Sequence, residues 1–132
     1  MASAAGLLSP PMMAPYNVSK AAVIALSETL HADLAAEGIG VTVLCPTFFP
    51  SNLVRSPRTA ADERLRRTAR HLVERARWSA DEVAQAALAG IDAGALHVAP
   101  QLDGRWLWRL KRLAPSRFHR LTRRVADRVL AR

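Results

Sequence analysis

Hydrophobic residues recur at helical intervals along several stretches of this chain, and two short apolar runs lie between them. In residues 15–37, alanines and leucines return every three or four positions, which predicts a helix whose first turn accommodates Pro15. Gly38 and Gly40 are typical of a helix end. The run that follows, IGVTVLCP, is rich in β-branched residues and ends at a proline. It predicts a strand over residues 39–45, buried on both faces.

The rest of the pattern predicts further helices and one more strand. Ser79 and Glu82, three residues apart, match a capping box, so a helix is predicted over residues 79–93. The segment ALHVAP predicts a strand over residues 95–100. The other predicted helices are 59–77, 104–113 and 116–131, and the predicted loops are 46–58 and 1–13, the latter with the stub of a strand at its start.

Helices that alternate with strands indicate an α/β fold with a parallel sheet and right-handed crossovers. The 132 residues suffice for one modest domain. Two complete strands are nevertheless too few, because a parallel sheet needs several neighbouring strands and cover on both faces. The pattern therefore predicts an incomplete α/β unit.

Charge divides the chain into two parts. Residues 105–132 carry nine arginines and Lys111 against one acid, Asp127, which gives a net charge of +9. The preceding residues carry 9 basic and 10 acidic side chains, a net charge of −1, so the high pI of 11.4 comes from the tail. A single cysteine, Cys45, excludes an intramolecular disulfide. No apolar run reaches the roughly 18–20 residues of a membrane span.

The stretch PYNVSK contains the only tyrosine, Tyr16, four residues before Lys20, one of two lysines. Residues i and i+4 share a helix face, so both side chains point the same way. A nearby ammonium and the positive end of a helix dipole both favour a phenolate. The pair is therefore a candidate general acid–base. A packed ring beside a surface lysine is the alternative that this short pattern leaves open.

The surroundings of this pair resemble the short-chain dehydrogenase/reductase family. The catalytic segment of that family reads Ser-x-Ala-Gly, about nine further residues, and Tyr-x-x-x-Lys, and this chain has SAAG at residues 3–6 and YNVSK at 16–20. In the family, a buried strand then ends in Pro-Gly, with a threonine five positions after the proline. Here Pro46 is followed by Thr47 instead of glycine, and Ser51 stands in place of the threonine.

The resemblance implies the C-terminal half of a Rossmann-like, doubly wound parallel sheet in about residues 1–100, and it leaves residues 101–132 as a basic amphipathic helical tail. It also implies an oxidoreductase that interconverts an alcohol and a carbonyl. Tyr16 is then the general acid–base. Lys20 assists it and binds the nicotinamide ribose, and Ser3 holds the substrate oxygen.

The same resemblance implies NAD or NADP as the cofactor. Tyr16 and Lys20 are expected to contact it, Pro46 and Thr47 to line the nicotinamide site, and Ser51 to contact the carboxamide. Threonine lacks the backbone freedom of glycine, so Thr47 departs from the wall that the family builds there.

No Gly-rich phosphate-binding turn occurs in these 132 residues. The family's nucleotide-binding half is therefore expected to be absent, and the isolated chain to be inactive. The expected substrate is a small apolar alcohol or carbonyl, beneath a loop opened by Phe48 and Phe49. A full-length protein is expected to form a homo-oligomer. Its expected location is the cytoplasm, at the periphery of a membrane if the tail binds one. No metal site is expected, since the four histidines lie far apart.

The tail at residues 105–132 is amphipathic. Trp106, Leu110 and Leu113 follow an i, i+4, i+7 pattern, and arginines occupy much of the remaining surface. A second stripe consists of Phe118, Leu121, Val125 and Val129.

Basic helices of this kind suit an anionic membrane surface. The alternative is a tail that folds onto its own body or a partner subunit. Nucleic acid is not expected as a partner, because the aromatic residues belong to the apolar stripe and no binding motif occurs. A second function therefore stays open, in which an inactive remnant acts as an interaction or membrane-surface module.

Overall fold

The structure, a computed structural model, describes residues 1–51 and 63–130 of the chain. In chain order, its elements are helix α1 (Ala4–Leu8), helix α2 (Ala14–Asp33), a 3₁₀ turn (Ala35–Glu37), strand β1 (Val43–Leu44), helix α3 (Glu63–Glu74), helix α4 (Ala80–Asp92), strand β2 (His97–Val98), helix α5 (Leu102–Leu113) and helix α6 (Pro115–Leu130).

Strands β1 and β2 are parallel, as predicted, with Val43 opposite His97 and Leu44 opposite Val98. Both are shorter than the sequence predicts. Ile39, expected inside a buried strand, is about half exposed. The run is buried only near its end, where Val43 and Cys45 are almost inaccessible to solvent. The apolar pattern located the strand but overestimated its length.

The first residues lie along the other side of β1. The backbone N–H groups of Ala2 and Ala4 donate to the carbonyl oxygens of Leu44 and Pro46, both at 2.9 Å. Pro46 has no N–H with which to return a bond to Ala2, so this pairing runs in one direction only. The strand stub predicted at the start of the chain therefore corresponds to a one-sided pairing with β1, because Pro46 lacks the N–H that a complete ladder needs.

The prediction of a loop at residues 1–13 is wrong for Ala4–Leu8, which forms helix α1. Ser3 begins this helix, because its hydroxyl oxygen accepts a hydrogen bond from the N–H of Ala5. Ser9 ends it in a left-handed conformation. A helix of five residues is too short for hydrophobic periodicity to reveal it.

Helix α2 confirms the predicted helix, with Pro15 in its first turn. Gly38 then takes a positive φ of 72° to end the 3₁₀ turn, a conformation that glycine adopts without strain. The core contains Ala2, Ile24, Val43 and Cys45, with Leu7 and Val23 packed against them. Helix α2 thus covers one face of the short sheet.

Helix α4 begins with the predicted capping box, in which Ser79 and Glu82 satisfy each other's backbone N–H groups. The Glu82 carboxylate accepts hydrogen bonds from the backbone N–H and the hydroxyl of Ser79. Both bonds hold the pKa of the Glu82 carboxyl below its usual value, and the backbone bond has the larger effect. Gly90 of this helix lies directly against the side chain of Val98, so α4 can approach β2 closely. Helix α3 confirms the polar helix predicted before it, while the predicted start at Thr59 lies outside the described residues.

The tail forms two helices, as predicted, and α5 packs against α1. Gly104 and Phe118 are buried, and Lys111 donates from Nζ to the carbonyl oxygen of Leu7 at 2.7 Å and to Ser9 Oγ at 3.1 Å. Partial burial lowers the pKa of the Lys111 ammonium. Part of the tail is therefore attached to the body of the protein. None of the helices in residues 1–51 and 63–130 is both long and apolar enough to cross a bilayer.

Candidate active site

A cleft of about 260 Å³ lies where the start of α2, the residues before α1 and the segment after β1 meet. All six side chains for which the sequence predicts a role line it. They are Ser3, Tyr16, Lys20, Pro46, Thr47 and Ser51. Residues far apart in sequence are thus brought to one place, as a shared site requires.

Tyr16 and Lys20 occupy the first turns of α2 on one face, as the spacing predicts. The Lys20 Nζ lies 5.6 Å from the centroid of the Tyr16 ring, within the range of a cation–π contact. Both side chains are half-buried. Within the described part of the chain, the Tyr16 hydroxyl has no hydrogen-bond partner. Tyr16 itself lines the cleft, as a residue that contacts a bound molecule must.

The start of α2 is held by side-chain bonds from two residues that follow Tyr16. Asn17 Nδ2 donates to the carbonyl oxygen of Pro10 at 2.7 Å, which ties α2 to the segment after α1. Ser19 Oγ donates to the carbonyl oxygen of Tyr16 at 2.8 Å. Both residues therefore support the helix turn that carries the tyrosine.

Gly6 determines how closely the Ser3 segment approaches this helix. A Cβ atom at Gly6 would lie 2.7 Å from the carbonyl carbon of Lys20 and 2.9 Å from the nitrogen of Ala21. These are backbone atoms of α2 and cannot move aside independently. The glycine of the SAAG motif thus lets α1 pack directly on α2, which places Ser3 and Tyr16 on the same cleft.

The opposite wall contains Pro46 and Thr47, and the tail holds it in place. The N–H of Thr47 donates to Oε1 of the buried Gln101 at 3.0 Å, and Thr47 Oγ1 lies 3.5 Å from Asp103 Oδ1. A Cβ at Gly104 would lie only 2.7 Å from Thr47 Cγ2. The threonine that replaces the family glycine therefore fits because α5 has a glycine facing it.

Phe48, Phe49 and Val73 also line the cleft, and they make part of its wall apolar. The sequence had indicated the two phenylalanines through the resemblance. The sequence does not indicate a role at the site for Val73 of α3, Gln101 or Gly104. Gln101 and Gly104 act on the site only through contacts with Thr47, a residue more than fifty positions away, and no local pattern signals such contacts.

The close contact between Gly104 and Thr47 predicts a coupling that can be measured. Gly104→Ala should destabilise the protein by about 1–3 kcal/mol, the usual cost of overpacking. In the Gly104→Ala background, Thr47→Ser removes the Cγ2 atom that the new Cβ would meet and keeps the hydroxyl. The double variant should therefore recover most of the lost free energy of unfolding. Urea unfolding of the two single variants and the double variant measures the coupling. Strictly additive effects would contradict the contact.

Two titratable side chains of the described residues, His97 and Cys45, are not among those that line the cleft. His97 Nε2 pairs with Glu28 Oε1 at 2.8 Å, and its ring lies 5.5 Å from that of Trp108. Burial raises the pKa of the Cys45 thiol to about 11, so it stays protonated and is a poor nucleophile. In the part of the chain that the structure describes, no cluster of histidine, cysteine and acidic residues could hold a metal ion.

Known proteins resemble this chain in sequence and in structure. Residues 1–62 match the family model described as short chain dehydrogenase. Over 63 residues, the chain is 38% identical to estradiol 17-beta-dehydrogenase 11 of Homo sapiens and of Pongo abelii, an alignment that covers 46% of this chain and 21% of each relative.

A solved structure is similar over most of the chain. The crystal structure of a short chain dehydrogenase/reductase from Burkholderia phymatum in complex with NAD has a TM-score of 0.74 and 31% sequence identity. The likeness covers 84% of this chain and 44% of that one, and it supports a Rossmann-like α/β fold. The chain spans less than half the length of each of these proteins.

Proposed function

The chain belongs to the short-chain dehydrogenase/reductase family, and we propose that it forms the catalytic part of an NAD(P)-dependent oxidoreductase that interconverts an alcohol and a carbonyl. The observation that carries this proposal is the single cleft lined by Ser3, Tyr16 and Lys20. The structural likeness to a relative solved in complex with NAD also supports the proposal, because the two chains have similar folds.

The residues around the cleft fit a nicotinamide nucleoside. Lys20 offers an ammonium donor for ribose hydroxyls, and Thr47 and Ser51 offer hydroxyls for a carboxamide. Pro46 and Phe48 give an apolar wall for the flat nicotinamide ring. When bound, the nicotinamide accepts a hydride in alcohol oxidation and donates one in carbonyl reduction.

The side chains of this chain handle the proton. During oxidation, Tyr16 takes the hydroxyl proton of the alcohol as the carbon-bound hydrogen leaves as hydride. During reduction, it returns a proton to the developing alkoxide. The Lys20 ammonium, 5.6 Å from the centroid of the Tyr16 ring, places a positive charge beside the phenol that transfers the proton. Ser3 holds the substrate oxygen within reach of Tyr16 by its hydroxyl.

The wall of the cleft suggests the substrate class. Phe48, Phe49 and Val73 offer apolar surface in the cleft that Tyr16 also lines. A small, mainly apolar secondary alcohol or its ketone would bury its hydrocarbon there and leave its oxygen at Ser3 and Tyr16. Among the described side chains that line the cleft, Lys20 is the charged one, so a charged substrate would lose solvation there for at most one ion pair with a side chain.

A second function rests on a different observation. Several large apolar side chains of the tail are exposed to solvent, among them Trp106 and Leu113. An interaction module that acts through residues 105–132, with no catalysis by this chain, would account for them. The two functions make opposite predictions about catalysis by a folded, cofactor-binding protein that contains this chain.

Cofactor binding by the 132 residues alone is expected to be weak, because no Gly-rich turn is present to bind the pyrophosphate. Calorimetry should detect no micromolar binding of NAD(H) or NADP(H). A chimera that joins the nucleotide-binding half of the Burkholderia phymatum relative to residues 1–132 should bind NAD and oxidise small apolar secondary alcohols. A folded, NAD-binding chimera with no activity on any alcohol or ketone would contradict the catalytic proposal and favour the second function.

A further inference from the structure

Helix α5 has two opposite faces with different surroundings. Gly104, Trp108 and Lys111 lie on the face that packs on the body, where they are buried or half-buried. The predicted stripe of Trp106, Leu110 and Leu113 lies about half a turn away, on the outer face. The structure therefore corrects the alternative in which this stripe folds onto the body of the protein.

The outer face is unusually apolar for a solvated helix. Trp106 is 64% exposed and Leu113 is 86% exposed, with Leu102 and Leu110 on the same side. Arg109 lies over the Trp106 ring at 5.4 Å, so a cation is held at the edge of the stripe. The combination is one of apolar side chains bordered by guanidinium groups.

Helix α6 also exposes apolar side chains next to arginines. Phe118, predicted as a member of the stripe, is instead buried at 2% exposure and anchors the helix. Leu121 and Val125 stay about half exposed, and they lie beside exposed arginines at 117, 124 and 128. The outer face of the tail is defined here by the exposed stripe of α5, which consists of Leu102, Trp106, Leu110 and Leu113.

We propose that this outer face binds the surface of an anionic lipid bilayer, with its apolar side chains at the boundary of headgroups and acyl chains and its arginines on lipid phosphates. The proposal rests on the second function above and not on the catalytic one. Its basis is charge complementarity, since residues 105–132 carry a net charge of +9. Basic helices with an apolar stripe bind in the plane of the membrane interface, with the stripe toward the acyl chains.

Two other occupants fit the face less well. A second copy of the tail would bring two surfaces of charge +9 together, which is electrostatically unfavourable. Nucleic acid would satisfy the arginines but would leave Leu110 and Leu113 without an apolar partner, because phosphate contacts dominate that kind of binding. A lipid surface satisfies both the charge and the apolar stripe.

The test uses the intact 132-residue chain and vesicles of phosphatidylcholine, with or without phosphatidylglycerol. The chain should sediment with the anionic vesicles and not with the neutral ones, and its tryptophan emission should shift to the blue. Replacing Trp106, Leu110 and Leu113 with serine should weaken binding about tenfold or more and abolish the blue shift. Because Leu113 is almost fully exposed, Leu113→Ser alone gives a readout even if the triple variant fails to fold.

A matched control replaces three equally exposed apolar residues elsewhere, Val18, Leu88 and Ile91, with serine. This variant should bind anionic vesicles as the parent does. Equal loss in both triple variants, or no anionic-selective sedimentation of the parent, would overturn the proposal. Binding to a DNA duplex without vesicle binding, or self-association that the tail variant abolishes, would also overturn it. Either of these last results would keep the tail as an interaction surface of another kind.

Discussion

Replacing Tyr16 with phenylalanine is expected to lower turnover of the chimera by roughly a hundredfold or more, because general acid–base catalysis typically contributes ~10²–10⁴. The substitution removes one oxygen atom and leaves the ring in place against Lys20. The Tyr16 hydroxyl has no hydrogen bond to another described residue, so its loss breaks no bond of the fold in that part of the chain. The effect should therefore fall on the chemical step and not on stability.

Steady-state kinetics with a small apolar alcohol measure this effect, and urea unfolding tests whether stability is unchanged. Val18→Ala is a suitable control, since Val18 lies on the same helix with its side chain exposed and outside the cleft. That variant should keep turnover within about twofold of the parent. A Tyr16→Phe enzyme with near-normal turnover would show that another group transfers the proton.

Replacing Gly6 with alanine is expected to destabilise the chimera by about 1–3 kcal/mol, the usual cost of inserting an atom where none fits. The new Cβ would lie 2.7 Å from the carbonyl carbon of Lys20, so α1 would have to move away from α2. That movement would also carry Ser3 away from Tyr16. Turnover should therefore fall together with stability, although Gly6 itself does not line the cleft.

Gly40→Ala is the matched control for this substitution. A Cβ at Gly40 would meet no atom within 4 Å, and no positive φ is required there. Its free energy of unfolding should change by no more than about 0.5 kcal/mol, as for other surface substitutions. If urea unfolding shows Gly6→Ala to be as stable as Gly40→Ala, the close packing of α1 on α2 is wrong.

The sequence alone determined the elements that local chemistry controls. Helix α2 follows from repeated alanines and leucines, the start of α4 from Ser79 and Glu82, and the common face of Tyr16 and Lys20 from the helical repeat. The motif SAAG followed by YNVSK indicated the family whose model matches residues 1–62, and all six predicted site residues line one cleft. The helix and capping predictions depend on spacing within one helix, and the site residues were predicted from the resemblance of their motifs.

Other features depend on contacts between distant segments, and only the tertiary structure decided them. Ser3 begins a helix too short to show periodicity. Thr47 fits its wall because Gly104 in the tail has no side chain, and Gln101 holds its N–H. In the tail, hydrophobic spacing identified an apolar stripe but not which side chains would be covered. Phe118 is buried and Trp106 is exposed because packing against the body selects one face of each helix, and amphipathic spacing alone cannot determine that face.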